Sequence, residues 1–224
     1  MKFVTLLKMA EKLNELIIDE IAWKSIKNDG LDIQYSIPIP RPLAFAIIKE
    51  LDETLEYFTG DLAKIKVFGK IYPLPRQQVA YGDPGITYTY SNLTVPALPW
   101  PDPVLALRNF IFKIKGIKYN FVLVNKYRNG NDHMGEHRDN EPELDPTVPI
   151  ASLSFGAERT FVLKHRDARK SGPNKKPIPP VSITLEHGSV LFMNPPTNEF
   201  WYHSLPKRKK IRGPRINLTF RKIR

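Results

Sequence analysis

The chain has no cysteine. A disulfide scaffold, a thiolate-bound zinc or iron–sulfur centre and a cysteine nucleophile are therefore excluded. It has no apolar run near the ~18 residues that a membrane-crossing helix needs. Its opening stretch is broken by Lys8, Glu11, Lys12 and Glu15. That stretch has neither the apolar centre nor the small-residue cleavage site of a secretory leader. There is no GxGxxG, no phosphate loop and no internal repeat, so a doubly wound nucleotide-binding sheet is not expected.

What is present suffices for one large domain or two small ones. The 224 residues are 42% hydrophobic and 25% charged, enough to bury a core without staples. Lys and Arg number 34 against 23 Asp and Glu, a net charge of +11. The excess is clustered. From Ser204 to Arg224 there are nine Lys or Arg and no acid, and from Glu158 to Pro177 seven against two acids. From Asp132 to Asp145 the balance reverses to six acids, with His133 and His137 among them. Basic segments attract phosphate, and an acidic centre with histidine suggests a cation. A merely solvated basic face would not need such clustering.

Residues 3–21 carry Phe3, Leu6, Leu7, Leu13, Leu16 and Ile17 at helical spacing and read as an N-terminal arm, 1–21, before a catalytic body, 22–224. A second helix places Leu43, Ile47, Leu51, Leu55 and Phe58 on one face, with Gly60 to close it. A third fits 103–116, from Pro103 to Gly116. The remainder alternates like strands: 64–68, 86–90, 121–124, 151–155, 160–163, 181–185, 189–193 and 216–220. Helices first and strands after predict an α+β fold, an antiparallel sandwich or jelly roll braced by N-terminal helices.

His137-Arg138-Asp139 is the sharpest local feature. In an extended segment, residues two apart face the same way. An imidazole and a carboxylate can then reach one ion, and a distant histidine would complete two nitrogens and one oxygen. That set leaves the opposite face of an octahedron open, as non-haem iron(II) oxygenases require. His203, in Trp201-Tyr202-His203-Ser204, is the best third ligand. The pair His133 and His137 would suit a helix, but Gly130 and Gly135 argue against one there. His187 precedes Gly188 and reads as a turn residue; His165 heads a basic loop and is expected to face phosphate or solvent.

Near the C-terminus, period two puts Arg215, Asn217, Thr219 and Arg221 on one strand face and Ile216, Leu218 and Phe220 on the other. Two inward arginines are costly unless they meet anions. A dicarboxylate co-substrate would offer one carboxylate to each guanidinium fork.

These residues together resemble the AlkB family of iron(II)- and 2-oxoglutarate-dependent dioxygenases, and within it the eukaryotic branch that repairs DNA. The resemblance runs from about residue 22 to 224. It is carried by Glu56 to Gly60, Val67 to Lys70, Tyr81-Gly82-Asp83, Asn125-Lys126-Tyr127, Gly135 to Asp139, Ser152 to Gly156, Asn194 to His203 and Arg215 to Arg221. The resemblance implies a double-stranded β-helix and iron(II) held by His137, Asp139 and His203. It implies 2-oxoglutarate bound by Arg215 and Arg221 with Asn125, Tyr127, Asn217 and Thr219, and oxygen as second co-substrate. Further implied roles concern the nucleic acid. Tyr90 and His137 would sandwich a flipped, damaged base, with Tyr88 beside them and Glu141 reading its exocyclic nitrogen. Val67-Phe68-Gly69 would wedge into the duplex, and Arg76 would support the opened strand. Two positions depart from the family pattern: Tyr90 replaces a phenylalanine, and Asn140 stands where aspartate is usual.

The implied activity is oxidative demethylation of 1-methyladenine and 3-methylcytosine in double-stranded DNA by a monomeric nuclear enzyme without membrane association. Formaldehyde, succinate and carbon dioxide would be released. The segments Lys164 to Lys176 and Lys207 to Arg212 would grip the DNA backbone. An RNA or single-strand demethylase of the same family, a protein hydroxylase and a non-catalytic nucleic-acid-binding jelly roll are the competing readings. Lys2-Phe3-Val4 partly matches a short motif that binds the replication sliding clamp, although Thr5 and Leu6 break it. The same residues could simply begin the amphipathic helix.

Overall fold

A computed structural model describes residues 2–224 apart from 68, 91 and 92; for 2–8, 66 and 67 it describes the backbone alone. In chain order the elements are α1 (Lys2–Glu15), β1 (Lys24–Asn28), β2 (Leu31–Ser36), α2 (Arg41–Thr54), β3 (Lys64–Val67), β4 (Lys70–Pro73) and β5 (Gln77–Gly82). Then come β6 (Thr87–Tyr90), β7 (Leu93–Pro96), α3 (Asp102–Lys115), β8 (Phe121–Tyr127), β9 (Met134–His137), β10 (Ile150–Gly156) and β11 (Arg159–His165). The chain ends with β12 (Val181–Leu185), β13 (Ser189–Met193), α4 (Thr197–Phe200), β14 (Trp201–Leu205) and β15 (Arg215–Arg221).

Two antiparallel sheets form a jelly roll. The larger has the order β1-β2-β13-β10-β15-β8-β5, and the smaller β12-β11-β14-β9. The period-two pattern of β15 decides which side chains face where. Ile216, Leu218 and Phe220 join Val122, Val124, Leu153 and Phe155 in a core against Leu43, Ile47 and Leu51 of α2 and Val104, Leu107 and Ile111 of α3. Each such fully buried aliphatic side chain contributes about 1.5–3 kcal/mol. The alternate residues, Arg215, Asn217, Thr219 and Arg221, are turned to the inside of the barrel and are also buried. A second core of Tyr127, Leu163, Leu185, Leu191, Met193 and Trp201 fills the space between the sheets.

Helix boundaries follow local chemistry. Pro42 lies in the first turn of α2, where its missing N–H costs nothing. Gly116 ends α3 in the left-handed conformation, with φ 68° and its N–H bonded to the Phe112 carbonyl. Gly60 does not close α2, contrary to the sequence expectation. That helix stops at Thr54, Leu55 is extended, and Gly60 opens a 3-10 turn instead. The N-terminal helix is also shorter than expected, ending at Glu15. It is docked rather than loose: Met9 and Leu13 are buried in the helix-facing core. Lys113 Nζ donates to the carbonyls of Asn14 (2.6 Å), in its last turn, and Leu16 (2.9 Å), just past its end.

Candidate active site

The smaller sheet brings two histidines face to face. In the β9–β14 ladder His203 pairs with His137, but Leu205 pairs with Met134. One extra residue on β9 therefore makes a bulge at Gly135–Glu136. Bulges re-aim side chains; here Met134 and His137 both line the interior. His137 Nδ1 lies 2.9 Å from the Gly135 carbonyl. With Nδ1–H donating there, Nε2 keeps its lone pair for a metal.

Asp139 follows two residues on. Its Oδ1 is 3.6 Å from His137 Nε2 and 3.9 Å from His203 Nε2. The candidate ligand atoms of the three residues all lie within 4.8 Å of one another. Oδ2 is engaged elsewhere: Arg221 donates to it from Nη2 at 2.7 Å and from Nε at 3.2 Å. One carboxylate oxygen is thus left for an ion. Burial alone would raise the Asp139 carboxyl, but Arg221 and the two imidazoles hold it well below the usual range. Burial, then the neighbouring His137, pushes His203 down to about 3, so it is neutral and ready to ligate at physiological pH. Two imidazole nitrogens and one carboxylate oxygen on one side of an ion are the donor set of an iron(II) oxygenase.

Beside this cluster, Asn125, Tyr127, Ser152, Arg215, Asn217 and Thr219 line the barrel interior together with Phe161, Leu185 and Met193. Arg215 is held at one nitrogen, Nη2 donating to Ser154 Oγ at 2.9 Å. Among the described residues nothing accepts from its Nε or Nη1. Burial brings this guanidinium down to about 10. A buried cation with idle donors is costly, and a carboxylate end of a dicarboxylate fits it. Tyr127 lies between two such cations, with the guanidinium carbons of Arg215 and Arg159 at 5.2 and 5.6 Å from its ring centre. Asn217 Nδ2 donates to Ser152 Oγ (2.8 Å) and to the Leu153 carbonyl (2.7 Å).

The two arginines of β15 are therefore not equivalent in this arrangement. Arg215 has open donors, whereas the Arg221 fork is spent on Asp139. Arg76 is half-buried, and its Nε donates to Asn125 Oδ1 at 2.7 Å. Tyr88 is fully buried, its ring 5.3 Å from the Arg221 guanidinium carbon; it offers no surface to a base in this arrangement. Tyr90 packs on Tyr88 at 5.8 Å and accepts a hydrogen bond from Gln78.

On the far side of Asp139 lies a cavity of about 440 Å³, lined by Arg138, Asn140, Glu141, Arg166, Asn198 and Arg221 among others. Glu141 is held above the usual glutamate value by burial and by the nearby Asp139. The wedge candidate Phe68 lies outside the described residues, as do the side chains of Val67 and Phe3. Gly69 turns the β3–β4 hairpin with φ 79°.

The remaining histidines separate clearly. His165 is buried, stacks on Phe200 (6.0 Å) and meets Trp201 edge-on (5.3 Å). Its expected exposure to phosphate or solvent is wrong, because α4 and β14 fold back over it. His187 does sit in a turn, accepting from the Gly156 N–H at 2.8 Å. Sequence reasoning missed Arg159, whose Nη2 donates to the carbonyls of Asp132 and Pro206, both at 2.8 Å. A single arginine at the start of a strand gave no sign of burial. The basic loop at 207–212 is tied to the Asn129-Gly130 turn: Arg208 N–H donates to the Gly130 carbonyl (2.7 Å) and Gly130 N–H to the Ile211 carbonyl (2.9 Å).

The fold and this donor set define a metal- and oxo-acid-dependent oxygenase. The sequence profile of the 2OG-Fe(II) oxygenase superfamily matches residues 40–221, and the chain belongs to that family. It is thus an enzyme that uses iron(II), 2-oxoglutarate and oxygen. DNA oxidative demethylase ALKBH2 of Homo sapiens is 50% identical over 202 residues, 90% of this chain and 77% of the relative. The protein of that name from Mus musculus is 49% identical over 201 residues, 90% of this chain and 84% of the relative. The human alpha-ketoglutarate-dependent dioxygenase alkB homolog 3 is 38% identical over 80% of this chain and 64% of its own length. The solved structure of OsALKBH1 superposes with a TM-score of 0.55 at 16% identity, over 89% of this chain and 100% of that chain; that likeness speaks to the fold alone.

Proposed function

We propose that the chain is a DNA-repair oxidative demethylase that flips N-methylated bases, 1-methyladenine and 3-methylcytosine, out of double-stranded DNA in the nucleus. The observation that carries the reading is the convergence of His137, Asp139 and His203 beside the open donors of Arg215, in a chain half identical to a DNA oxidative demethylase. Iron(II), 2-oxoglutarate and oxygen supply the oxidising power, the oxo acid leaving as succinate and carbon dioxide and the N-methyl carbon as formaldehyde.

The protein residues orient and shield. His137 and His203 would hold the ion together with Asp139, whose Oδ1 is the oxygen left to it because Arg221 holds Oδ2. Arg215 takes one end of the co-substrate, with Asn217, Thr219, Asn125 and Tyr127 around it. Phe161, Leu185 and Met193 keep that chamber dry, which strengthens each charge–charge contact inside. A base in a duplex cannot reach this depth, so it must leave the stack. Methylation of the pairing edge has already broken its base pair, which lowers the cost of flipping. It also leaves the base cationic, matched by Tyr90 and the carboxyl of Glu141. The side chains of Val67 and Phe68 would fill the gap in the stack. The segments 164–176 and 207–212 would follow the backbone.

Formaldehyde release from duplex oligonucleotides carrying 1-methyladenine tests this reading. It is expected only with iron(II) and 2-oxoglutarate together, and more strongly on duplex than on matched single strands. Equal or greater activity on single strands would favour the single-strand or RNA reading. No release from either would remove the substrate assignment.

A further inference from the structure

The ligands His137 and Asp139 hang from the least regular part of the barrel. β9 is an edge strand of four residues, and its ladder to β14 is broken by the bulge. Short edges with few ladder bonds open at low free-energy cost. A metal site nevertheless needs its ligands held to a fraction of an ångström. The outward side chains of the same strands supply that restraint. Arg138 lies between the two ligands in sequence, and its guanidinium carbon is 4.8 Å from the ring centre of Tyr202. Tyr202 is the immediate neighbour of His203, and adjacent strand residues face opposite sides. A second guanidinium, that of Arg169, lies 3.8 Å from the same ring centre.

The contacts close into a circuit. Arg138 Nη1 donates to the Glu199 carbonyl at 2.7 Å. Glu136, on β9 itself, accepts from Arg169 Nε at 3.1 Å and from Lys164. One ring thereby joins β9, β14 and the turn after β11 on the outside of the metal site.

We infer that Tyr202 is a positioning residue for the metal centre: held by Arg138 and Arg169, its ring keeps the edge strand in register so that His137 and Asp139 stay opposite His203. This rests on the assignment of those three residues as ligands and is independent of the DNA reading. Partners one step behind the ligands are worth about 10–100-fold in metal affinity.

The test compares Tyr202→Leu, which keeps bulk but loses the ring, with Tyr202→Phe, which keeps the ring. Mn(II) affinity of the full chain is read by paramagnetic resonance, and the visible spectrum of the Co(II) form reports coordination geometry. Tyr202→Leu should weaken Mn(II) binding by about tenfold and alter the Co(II) bands, while Tyr202→Phe stays within about twofold of wild type. Wild-type Mn(II) affinity in Tyr202→Leu, or an equal loss in Tyr202→Phe, would overturn the inference. Should Tyr202→Leu fail to fold, Arg138→Gln and Arg169→Gln keep the ring and remove its partners. Unchanged Mn(II) affinity in both would overturn it equally. A loss confined to DNA affinity would assign these arginines to phosphate and would also refute the positioning role. His203→Ala serves as control: if it binds Mn(II) like wild type, the ligand assignment itself fails.

Discussion

Two ladders of the barrel are built to different standards of regularity. In the larger sheet, β15 runs in unbroken register with β8 over seven residue pairs and with β10 over six. In the smaller, β9 holds β14 through two pairs separated by a bulge. The residues proposed for the co-substrate, Asn125, Arg215, Asn217 and Thr219, stand on the regular strands. His137 stands on the irregular strand, and Asp139 lies just beyond it. A dicarboxylate needs fixed donors at a fixed separation, which a continuous ladder provides. His137 and Asp139, two residues apart, face the same way, and the bulge just before them turns Met134 and His137 alike to the interior. The buried Arg221–Asp139 pair joins the two regions.

The largest expected effect breaks the comparison at that joint. Asp139→Ala and His137→Ala should both reduce turnover to background. Only Asp139→Ala strands a buried arginine, so it alone should lose about 3–5 kcal/mol of stability, measured by urea unfolding of the metal-free proteins. Similar stability in both would mean that Arg221 finds another partner.

Next in size, Arg215→Met should weaken 2-oxoglutarate binding by about 2–5 kcal/mol. It should leave the free protein as stable as wild type, because the cation it removes is buried with idle donors. Calorimetric titration and thermal melting together separate these outcomes. A destabilised variant with normal affinity would contradict the assignment.

A smaller effect concerns Glu141. Its folded-state value is raised, so the folded protein holds this proton more tightly than the unfolded chain. The stabilisation is full below the usual glutamate value and is lost as pH rises past the raised one. Glu141→Gln should therefore flatten the fall of melting temperature over that window. A slope identical to wild type would show that Glu141 titrates normally.

The smallest effect sharpens the picture at the surface. A Cβ on Gly130 would fall 1.7 Å from the Arg208 carbonyl oxygen. Gly130→Ala must displace the basic loop and should weaken duplex binding by about threefold to tenfold, read by fluorescence anisotropy. 2-Oxoglutarate affinity should not change. Unchanged DNA affinity would place the loop off the interface.

Regularity also governed what could be read from the sequence. The strand at 181–185 and the core faces of α2, α3 and β15 were legible because period and burial coincide, and 189–193 was legible as a short apolar run behind the turn His187-Gly188. β9, with the sequence Met-Gly-Glu-His, has no alternation to detect, and β5 is almost wholly buried on both faces. The three ligands were legible through residue type and the i, i+2 spacing. The pairing of Arg221 with Asp139 was not, since the two meet only when the sheets close. The burial of His165 likewise depends on Phe200 and Trp201, which local sequence does not place beside it.

The division of labour between the sheets is tested most directly by Mn(II) binding to the metal-free chain without 2-oxoglutarate, in wild type, His137→Ala and Arg215→Met. The account predicts that His137→Ala loses the metal while Arg215→Met binds it like wild type. Equal loss of Mn(II) affinity in the two variants would show that the co-substrate strand and the metal edge do not act separately.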